Sequence, residues 1–500
     1  MSGLDPIALQ VLVGGLRAAC DEMGATLIRS AYSANIKERH DCSTALFDAT
    51  GELVMQAEHI PVHLGSMPDA VAAVLASEQR PGREWILNDP YRGGTHLPDI
   101  TLVSPIFAGD ELLGFAAGRA HHADVGGPTP GSMPAFSKTL EEEGVVIPPT
   151  VADAETLKRL ASRMRAPDQR LADLRAQQAA NRIGAQRLTE LHERLGTAAL
   201  REGMAAILAY SERRTRAALA ALPDGHYRAE DVLEADWDGQ QRDLRLRLEA
   251  TIAGDALRLD FSGSDEQVEG NLNCPFSVTK SAAFFAVRVL TDPEAPPSAG
   301  AHRPIEVIAP AGSLLNARFP AAVAAGNVET SSRVADLVLA ALSGARPGPA
   351  QGQGTMNNLI LAGEGFTYYE TLGGGQGACP EADGPSAIHV AMSNTLNTPT
   401  EALEAEFPLR VRELSLRRGS GGGGTHRGGE GIVREIEALA PVQFSLISER
   451  RRHPPRGRGG EDGTPGANFL NGSPLPGKAA GEMRPGDRLR IETPGGGGWT

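Results

Sequence analysis

The sequence predicts a mixed α/β fold, of the α+β kind, that is built as several lobes. At 500 residues the chain is far longer than one hydrophobic core requires, so two to three lobes are expected. Segments with the alternating apolar residues of strands occur throughout, and stretches with helical spacing lie between them. Glycine (59 residues) and proline (35 residues) are abundant but dispersed, which indicates many turns rather than disorder.

Changes in composition along the chain divide it into four predicted regions. These are a lobe that carries the candidate site at 1–150, a helical insertion at 151–225 with its helices near 153–222, a mixed α/β lobe with polar loops suited to a substrate at 226–400, and a glycine-rich β region at 401–500. Ala, Arg, Leu, Glu and Gln dominate the second region, which predicts two long helices with a break near Gly196.

Individual elements follow from local patterns. Apolar residues at helical spacing predict a helix over 6–31, and the turn DATGEL predicts a hairpin between Ser43 and Gln56. WILNDP is expected to be a strand that ends on Asp89, and HVAMSNTLNTP is strand-like. GNLNCP and GNVETSSR are expected to be polar loops that each open an apolar helix, the second of them capped by Thr330, Ser331 or Ser332.

Composition and charge exclude several classes of protein. The formal net charge of −14 argues against general nucleic-acid binding, which needs a basic surface. No run of apolar residues is long enough for a transmembrane helix, and MSGLDPIALQ lacks the features of a signal peptide. The four cysteines are far apart and form no CxxC pair, so reduced thiols in a cytoplasmic protein are expected.

Histidine and carboxylate side chains are concentrated between Asn88 and Gly127. The segments NDPYRGGTHLPDI and RAHHADVGG supply Asp89, His96, Asp99, His121, His122 and Asp124. Imidazole and carboxylate groups bind divalent metals or carry protons near neutral pH. Pro98 disfavours a helix, so a turn is expected to direct His96 and Asp99 toward one point. His121 follows an apolar strand and would lie at its end.

These residues lead to the hypothesis of a metal-dependent active site. The candidate ligands are His96, Asp99 and His121, with Glu38 and Asp41 from an earlier loop to complete the shell. Two imidazoles with carboxylates suit Mn, Zn or Fe better than Ca or Mg. From spacing alone, the alternative that these are capping or surface residues in loops stays open. His59 and His63 are expected to support the ligands at most, and ordinary packing is the favoured interpretation for both.

Two further motifs favour simple structural explanations. The glycine run at 419–431 lacks the Lys-Ser/Thr ending of a phosphate-binding loop, so tight β-turns explain it better. The basic run at 449–460 lies in an acidic protein, which favours a local ion-pair network or a subunit contact over nucleic-acid binding. The sequence has no GxSxG motif and no recognisable cysteine nucleophile, which argues against a covalent hydrolase.

Eight segments together resemble the hydantoinase B/oxoprolinase family, in the family's order and across nearly the whole chain. They are NIKERHDCSTALFD, NDPYRGGTHLPDI, GRAHHADVGG, GNVETSSRVAD, NTPTEALEAEFPLRV, SGGGGTHRGGEGIVREIE, SERRRHPPRGRGG and TPGGGGW. The resemblance implies a B-type subunit that works with an A-type, ATP-binding subunit, and therefore a hetero-oligomer. It also implies a divalent metal held at the positions that match the family's ligands, which are Glu38, His96, Asp99 and His121, with Asp41 beside them.

The implied reaction is hydrolysis of a cyclic amide such as a hydantoin or 5-oxoproline. By resemblance, the A-type partner phosphorylates the carbonyl oxygen with ATP, and the B-type subunit completes the hydrolysis. A bound divalent metal lowers the pKa of water and so supplies a nucleophile at neutral pH. His122 or Asp124, beside the ligands, would act as the general base or would orient a ligand.

Two other functions stay open from the sequence alone. The same site would serve a subunit of an ATP-dependent ketone carboxylase. A non-catalytic subunit that stabilises its A-type partner is the third possibility, although the presence of all the expected ligand types opposes it.

Overall fold

The computed structural model describes residues 6–58, 60–235 and 241–500, and His59 lies outside these ranges. Helices and strands alternate along the chain in a mixed α/β fold, as predicted. The described helices are Pro6–Ser30 (α1), Ala34–Lys37 (α2), Met67–Leu75 (α3), Ala154–Ala161 (α4), Pro167–Leu195 (α5), Thr197–Ala220 (α6), Phe276–Thr291 (α7), Ala299–His302 (α8), Ser331–Leu342 (α9) and Thr400–Glu406 (α10).

The described strands form four sheets. The strands are Cys42–Asp48 (β1), Leu53–Glu58 (β2), Trp85–Leu87 (β3), Asp99–Ala108 (β4), Glu111–His121 (β5), Thr150–Val151 (β6), Gly225–Glu234 (β7), Asp243–Ala253 (β8), Ala256–Asp260 (β9), Ile305–Ile308 (β10), Asn358–Gly363 (β11), Phe366–Glu370 (β12), Leu409–Arg417 (β13), Gly431–Ala438 (β14), Val442–Ile447 (β15), Ala467–Leu470 (β16), Ser473–Leu475 (β17), Lys478–Met483 (β18) and Arg488–Glu492 (β19).

The first sheet has the strand order β2-β1-β5-β4-β3-β6, and all its pairs are antiparallel. Both faces are covered. Ala116 and Ala120 of β5 pack toward α1 and α5, whereas Phe115 and Ala117 pack with α3 on the opposite face. Successive side chains of a strand point to opposite faces, so this alternation also decides where the polar residues at the end of β5 point.

The second sheet, β10-β9-β8-β7, packs its apolar side against α7 and α9. The AGDA turn joins β8 to β9 as an antiparallel hairpin. Sequence reasoning was wrong about the start of α9, because GNVET forms a π-helical turn over Gly326–Thr330 that runs directly into the helix. The expected caps are also absent, since Ser331 and Ser332 donate to the carbonyls of Asn327 and Val328 one turn back.

The predicted helical stretch is present as α4, α5 and α6, with Gly196 between the two long helices. These helices are not a separate body. Helix α5 packs along α1 and across β4 and β5 of the first sheet. The lobe boundaries inferred from composition therefore stay a prediction. No helix in the described part of the chain is long and apolar enough to cross a membrane.

Two strand predictions needed correction. The WILNDP strand ends at Leu87, and Asp89 lies in the following turn, where its carboxylate accepts a hydrogen bond from the Tyr91 amide at 2.9 Å. HVAMSNTLNTP forms no strand among the described residues. It instead runs as a loop in which the ring nitrogen Nδ1 of His389 bonds the Ser393 hydroxyl at 2.7 Å.

The last two sheets, β12-β11-β15-β18 and β13-β14-β19-β16-β17, share one apolar core, which confirms the predicted β-rich C-terminal region. Beside this core, glycine runs from three parts of the chain lie backbone against backbone. The amide of Gly422 donates to Gly496 at 2.9 Å, and the amide of Gly496 donates to Gly429 at 2.9 Å. Close approach of main chains, rather than turns alone, explains the run at 419–431.

We predict that Gly496→Ala destabilises the protein, because a Cβ atom there would overlap the carbonyl oxygen of Gln376. Overpacking of this kind costs about 1–3 kcal/mol or more. Gly14→Ala is the matched control, since a Cβ at this exposed helical position meets no described atom within 4 Å. It should stabilise α1 by up to about 1 kcal/mol. Thermal unfolding checks both, and equal midpoints for the two variants would contradict the packing argument.

Candidate metal centre

The turn before β4 presents His96 to the end of the first sheet. Asn88 holds this turn, because its side-chain amide donates to the carbonyls of Leu97 and Val145 at 2.8 and 2.9 Å. Gly94 lies so close to the main chain of Asn88 that a side chain would not fit there. The expected turn around Pro98 is therefore present, and buried hydrogen bonds fix its position.

Strand pairing brings Asp99 and His121 together. Asp99 is the first residue of β4, His121 is the last residue of β5, and the two are directly opposed in the antiparallel ladder. The amide of His121 donates to the carbonyl of Asp41 at 3.0 Å, just before β1 begins. The ends of three neighbouring strands therefore meet at this point.

Among the described residues, His96, Asp99 and His121 form a group whose candidate ligand atoms all lie within 4.8 Å of one another. The Asp99 carboxylate lies between the two rings, 3.3 Å from Nε2 of His96 and 3.5 Å from Nδ1 of His121. The ring centroids are 5.0 Å apart. All three side chains are buried, so the group is shielded from solvent.

Several buried nitrogen atoms of this group lack hydrogen-bond partners within the part of the chain that the structure describes. They are both ring nitrogens of His96 and Nε2 of His121. Buried polar groups are nearly always satisfied, so each exception needs an explanation. Two imidazoles and a carboxylate within one small volume are a common donor set for Zn²⁺, Mn²⁺ or Fe²⁺. The residues present therefore fit a divalent metal ion.

The surroundings of Asp99 and His121 favour the protonation states in which these two side chains bind a metal. Burial raises the pKa of Asp99, but the neighbouring His96 and His63 outweigh this effect and lower that pKa well below its usual value. Burial lowers the pKa of His121, against the opposing effect of Asp99. An ionised carboxylate beside a neutral imidazole is the form in which these side chains bind metals.

The two predicted carboxylates of the earlier loop differ in position. Asp41 is buried, and its Oδ2 lies 3.9 Å from Nδ1 of His121, so it is a neighbour of the cluster. Glu38 is the C-cap residue that follows the short helix α2, and it is only half-buried. It does not join the described cluster, and its charge instead contributes, after burial, to a raised pKa of Glu406.

His122 points away from the cluster, as strand alternation requires. Its Nε2 lies 2.9 Å from the side-chain oxygen of Gln177 on α5, on the opposite face of the sheet from His121. Burial lowers the pKa of His122 to about 4. This geometry contradicts a position for His122 beside the metal ligands and makes it a contact between sheet and helix.

Asp124 also has hydrogen-bond and ion-pair partners outside the cluster. Its two oxygens accept from the amides of Gly126 and Gly131, both at 2.7 Å, and it pairs with Arg165 at 3.0 Å. The carboxylate therefore closes the loop that follows β5. Such a fully used acceptor is a poor candidate for a general base.

Sequence reasoning underestimated His63. Its Nε2 lies 3.4 Å from Oδ2 of Asp99, and its Nδ1 lies 2.9 Å from the hydroxyl of Ser43. Thr95 donates to the same carboxylate oxygen at 2.6 Å. His63, Thr95 and His96 therefore all contact Oδ2 of Asp99, whereas His121 faces Oδ1. No spacing rule links His63 to a residue 36 positions further along the chain, so only the fold reveals the contact.

Tyr369 at the end of β12 is a second residue that the sequence did not suggest. Its ring stacks on that of His121 at 4.6 Å between centroids and with an interplanar angle of 4°. The guanidinium of Arg39 lies over the Tyr369 ring at 5.1 Å and donates to the Tyr369 carbonyl at 2.8 Å. The C-terminal half of the chain therefore forms one wall of the site.

Polar side chains of the loop GNLNCP, which was expected to hold a substrate, are hydrogen-bonded to backbone carbonyls of the protein itself. The side-chain amide of Asn271 donates to the carbonyls of Pro134 and Ala135, and that of Asn273 donates to carbonyls of its own loop. The basic run at 449–460 also has a structural role, since Arg450 pairs with Asp231 and Asp336 in a buried network.

A buried histidine and aspartate cluster at the strand ends of an antiparallel sheet defines a candidate metal centre. Comparison with known proteins then gives the family. The chain belongs to the hydantoinase B/oxoprolinase family, whose model matches residues 5–500. This confirms the resemblance inferred from the sequence.

Three relatives show the extent of the similarity. 5-Oxoprolinase 1 of Arabidopsis thaliana is 39% identical over 99% of this chain and 42% of its own length. A Pseudomonas sp. protein named as a candidate B-type subunit of a D-/L-hydantoinase is 32% identical over 93% of this chain and 83% of that protein. The crystal structure of the ATP-dependent caprolactamase from Pseudomonas jessenii has a TM-score of 0.93 at 28% identity, over 99% of this chain and 91% of that one. The chain thus spans about two fifths of the plant 5-oxoprolinase that it matches.

Glu143, which interacts electrostatically with His96, should make the free energy of unfolding depend on pH. Burial raises its pKa to about 7, against hydrogen bonds from Ala324, Val323 and Ser137. The pKa in the unfolded chain is about 4.3. The contribution of Glu143 to the free energy of unfolding is therefore fully present below about pH 4.3. This contribution is lost as the pH rises from that value through about 7.

In Glu143→Gln the side chain has a similar shape and is uncharged at every pH. We expect its unfolding midpoint to rise relative to that of the wild type between pH 5 and pH 8. Thermal unfolding at both pH values measures this difference. A constant difference would show that Glu143 is ionised in the folded protein throughout this range.

Proposed function

We propose that this chain is the B-type component of an ATP-dependent enzyme that hydrolyses a cyclic amide, such as a hydantoin, 5-oxoproline or another lactam. The observation that carries the proposal is the buried group of His96, Asp99 and His121, with ring nitrogens that lack partners among the described residues. Family membership and the close structural likeness to a caprolactamase support the class of substrate.

The proposed ligands are His96, Asp99 and His121, with Asp41 as the adjacent carboxylate that completes the set. Glu38 is retained as an outer member, which would have to turn away from Glu406 to reach the cluster. Mn²⁺, Zn²⁺ or Fe²⁺ suits this mixture of imidazole and carboxylate donors. When bound, such an ion polarises a carbonyl oxygen and lowers the pKa of water.

The chain's own residues hold this donor set in one arrangement. Thr95 and His63 fix one oxygen of Asp99, and the other oxygen faces His121. Stacking on Tyr369 fixes the plane of the His121 ring. We assign structural roles to His122 and Asp124. His122 contacts Gln177 on α5, and Asp124 holds the loop after β5 through the amide of Gly131.

A cyclic amide resists attack because its nitrogen donates electrons into the carbonyl group. We propose that an A-type partner overcomes this resistance by transferring the γ-phosphoryl group of ATP to the carbonyl oxygen, with release of ADP, which makes the carbon electrophilic. Water then adds to this carbon, the ring C–N bond breaks as the nitrogen takes up a proton, and hydrolysis of the resulting acyl phosphate gives the carboxylic acid and phosphate. The glycine run at 419–431 is occupied by main-chain packing, which supports an ATP site on the partner. The similarity to a B-type hydantoinase component supports a hetero-oligomer.

The chain's thiols support a cytoplasmic location, which we include in the proposal. Cys20, Cys42, Cys274 and Cys379 are all free. Free thiols without disulfides are usual in a reducing compartment.

Metal analysis tests the site directly. We expect the wild-type chain, purified without chelators, to hold close to one equivalent of Mn, Zn or Fe by elemental analysis. His96→Ala should lose it, since the variant lacks one of the two imidazole ligands. His226→Ala is the matched control, because this histidine lies exposed on the second sheet, and it should keep the metal.

The activity assay combines the chain with an A-type partner and ATP. We expect phosphate release and ring opening to depend on 5-oxoproline, hydantoin or caprolactam, on both proteins and on His96. Release that depends on a ketone and bicarbonate instead would contradict the proposal and assign a carboxylase. Full turnover by the partner alone, with no metal in the wild-type chain, would indicate a purely stabilising subunit.

A further inference from the structure

A continuous set of contacts connects the wall of the metal centre to a buried glutamate. The hydroxyl of Tyr369 donates to the side-chain oxygen of Asn358 at 2.9 Å. The side-chain nitrogen of Asn358 donates to Oε1 of Glu329 at 2.8 Å and to the carbonyl of Ile447 at 2.9 Å. Because the Tyr369 ring stacks on His121, Glu329 is three contacts away from a proposed ligand.

Glu329 lies on the π-helical turn Gly326–Thr330. The turn is fixed at both ends, since the amide of Gly326 donates to the carbonyl of Asn271 at 2.8 Å and the Thr330 hydroxyl donates to the carbonyl of Leu272 at 2.6 Å. A π-turn inserts one extra residue into a helix and changes the direction of its side chains, and such turns are frequent at functional sites.

The carboxyl group of Glu329 is completely buried. Its Oε1 accepts from the Met356 amide at 3.1 Å as well as from Asn358, and its Oε2 has no hydrogen bond with the described residues. Burial raises the pKa of Glu329 to about 7, so the neutral acid is readily populated. Both observed donors need only an acceptor oxygen, which a glutamine side chain also supplies.

We propose that Glu329 is a positioning residue for the imidazole of His121 and acts through Asn358 and Tyr369. Glu329 holds the amide of Asn358, Asn358 holds the hydroxyl of Tyr369, and the Tyr369 ring sets the plane of the His121 ring. The guanidinium of Arg39 also lies over the Tyr369 ring, 5.1 Å from its centroid, so contacts with both Arg39 and His121 restrict the movement of the ring. This inference rests on the metal centre proposed above and extends that site by two residues, Glu329 and Asn358, from the C-terminal half of the chain.

The consequence is a link between metal affinity and a residue that touches no ligand. Outer hydrogen-bond partners of metal ligands typically change metal affinity by about 10–100-fold when they are removed. We expect Glu329→Ala to weaken metal binding by about this factor, because Asn358 and then Tyr369 lose their fixed orientation. Glu329→Gln should keep an affinity within about threefold of the wild type, because the acceptor oxygen remains.

The test is titration of the apo full-length chain with Co²⁺, followed by the visible absorption of the bound ion. Glu329→Ala should bind more weakly and show a changed spectrum, and Glu329→Gln should match the wild type in both. Tyr369→Phe, which keeps the stacked ring but loses the hydroxyl, should fall between them. Thermal unfolding of each apo protein checks that all variants are folded.

Glu370→Ala is the matched control. Glu370 is equally buried and adjacent to Tyr369, but its carboxylate pairs with Arg434 and accepts from the Thr398 amide on another side of the strand. It should lower the unfolding midpoint without changing the Co²⁺ spectrum.

Three other results would each overturn a defined claim. Wild-type affinity and spectrum in Glu329→Ala would refute the positioning role and leave the metal centre intact. Equal losses of Co²⁺ affinity in Glu329→Ala, Glu329→Gln and Glu370→Ala would indicate only general destabilisation, which also refutes the role. Failure of the wild-type chain to bind Co²⁺ would refute the metal centre itself, and the positioning role with it.

Discussion

The antiparallel pairing of Asp99 with His121 is the contact on which the candidate centre depends. The register of β4 against β5 sets the distance between a carboxylate and an imidazole before any metal is considered. A slip of one residue would turn His121 to the face that is covered by α1 and α5, and would bring His122 to the site. The apolar residues of β5 prevent this slip, because Phe115 and Ala117 fit the α3 face whereas Ala116 and Ala120 fit the α1 and α5 face.

The candidate metal centre is formed by residues that are far apart in the sequence. His63 and Asp99 come from the N-terminal part of the chain, whereas Tyr369 lies in the third sheet, 270 positions after Asp99. Arg39 ties the two parts together, since it donates to the Tyr369 carbonyl and to the hydroxyls of Thr371 and Thr395. This arrangement couples assembly of the C-terminal sheets to the geometry of the ligands.

Much of the fold could be predicted from the sequence because its signals are local. Helical spacing predicted α1, the change in composition at 153–222 predicted the long helices, and alternation predicted the β8–β9 hairpin. His96, Asp99 and His121 were recognisable from their density and from the family motifs, and the structure brings them together.

The errors arose where long-range contacts override local preference. His122 follows a predicted ligand in sequence, but strand alternation turns it to Gln177. GNVETSSR has the composition of a loop, yet contacts with the carbonyls of Asn271 and Leu272 hold it as a π-turn. Tyr369 belongs to no recognisable motif, because its stacking on His121 exists only after the first and third sheets have packed together.

Anomalous diffraction from crystals grown with Mn²⁺ or Zn²⁺ would test the central claim most directly. We expect one strong peak about 2.0–2.3 Å from a ring nitrogen of His96, a ring nitrogen of His121 and an oxygen of Asp99. A peak only among surface residues, with no density for an ion between these three side chains, would contradict the proposed metal centre.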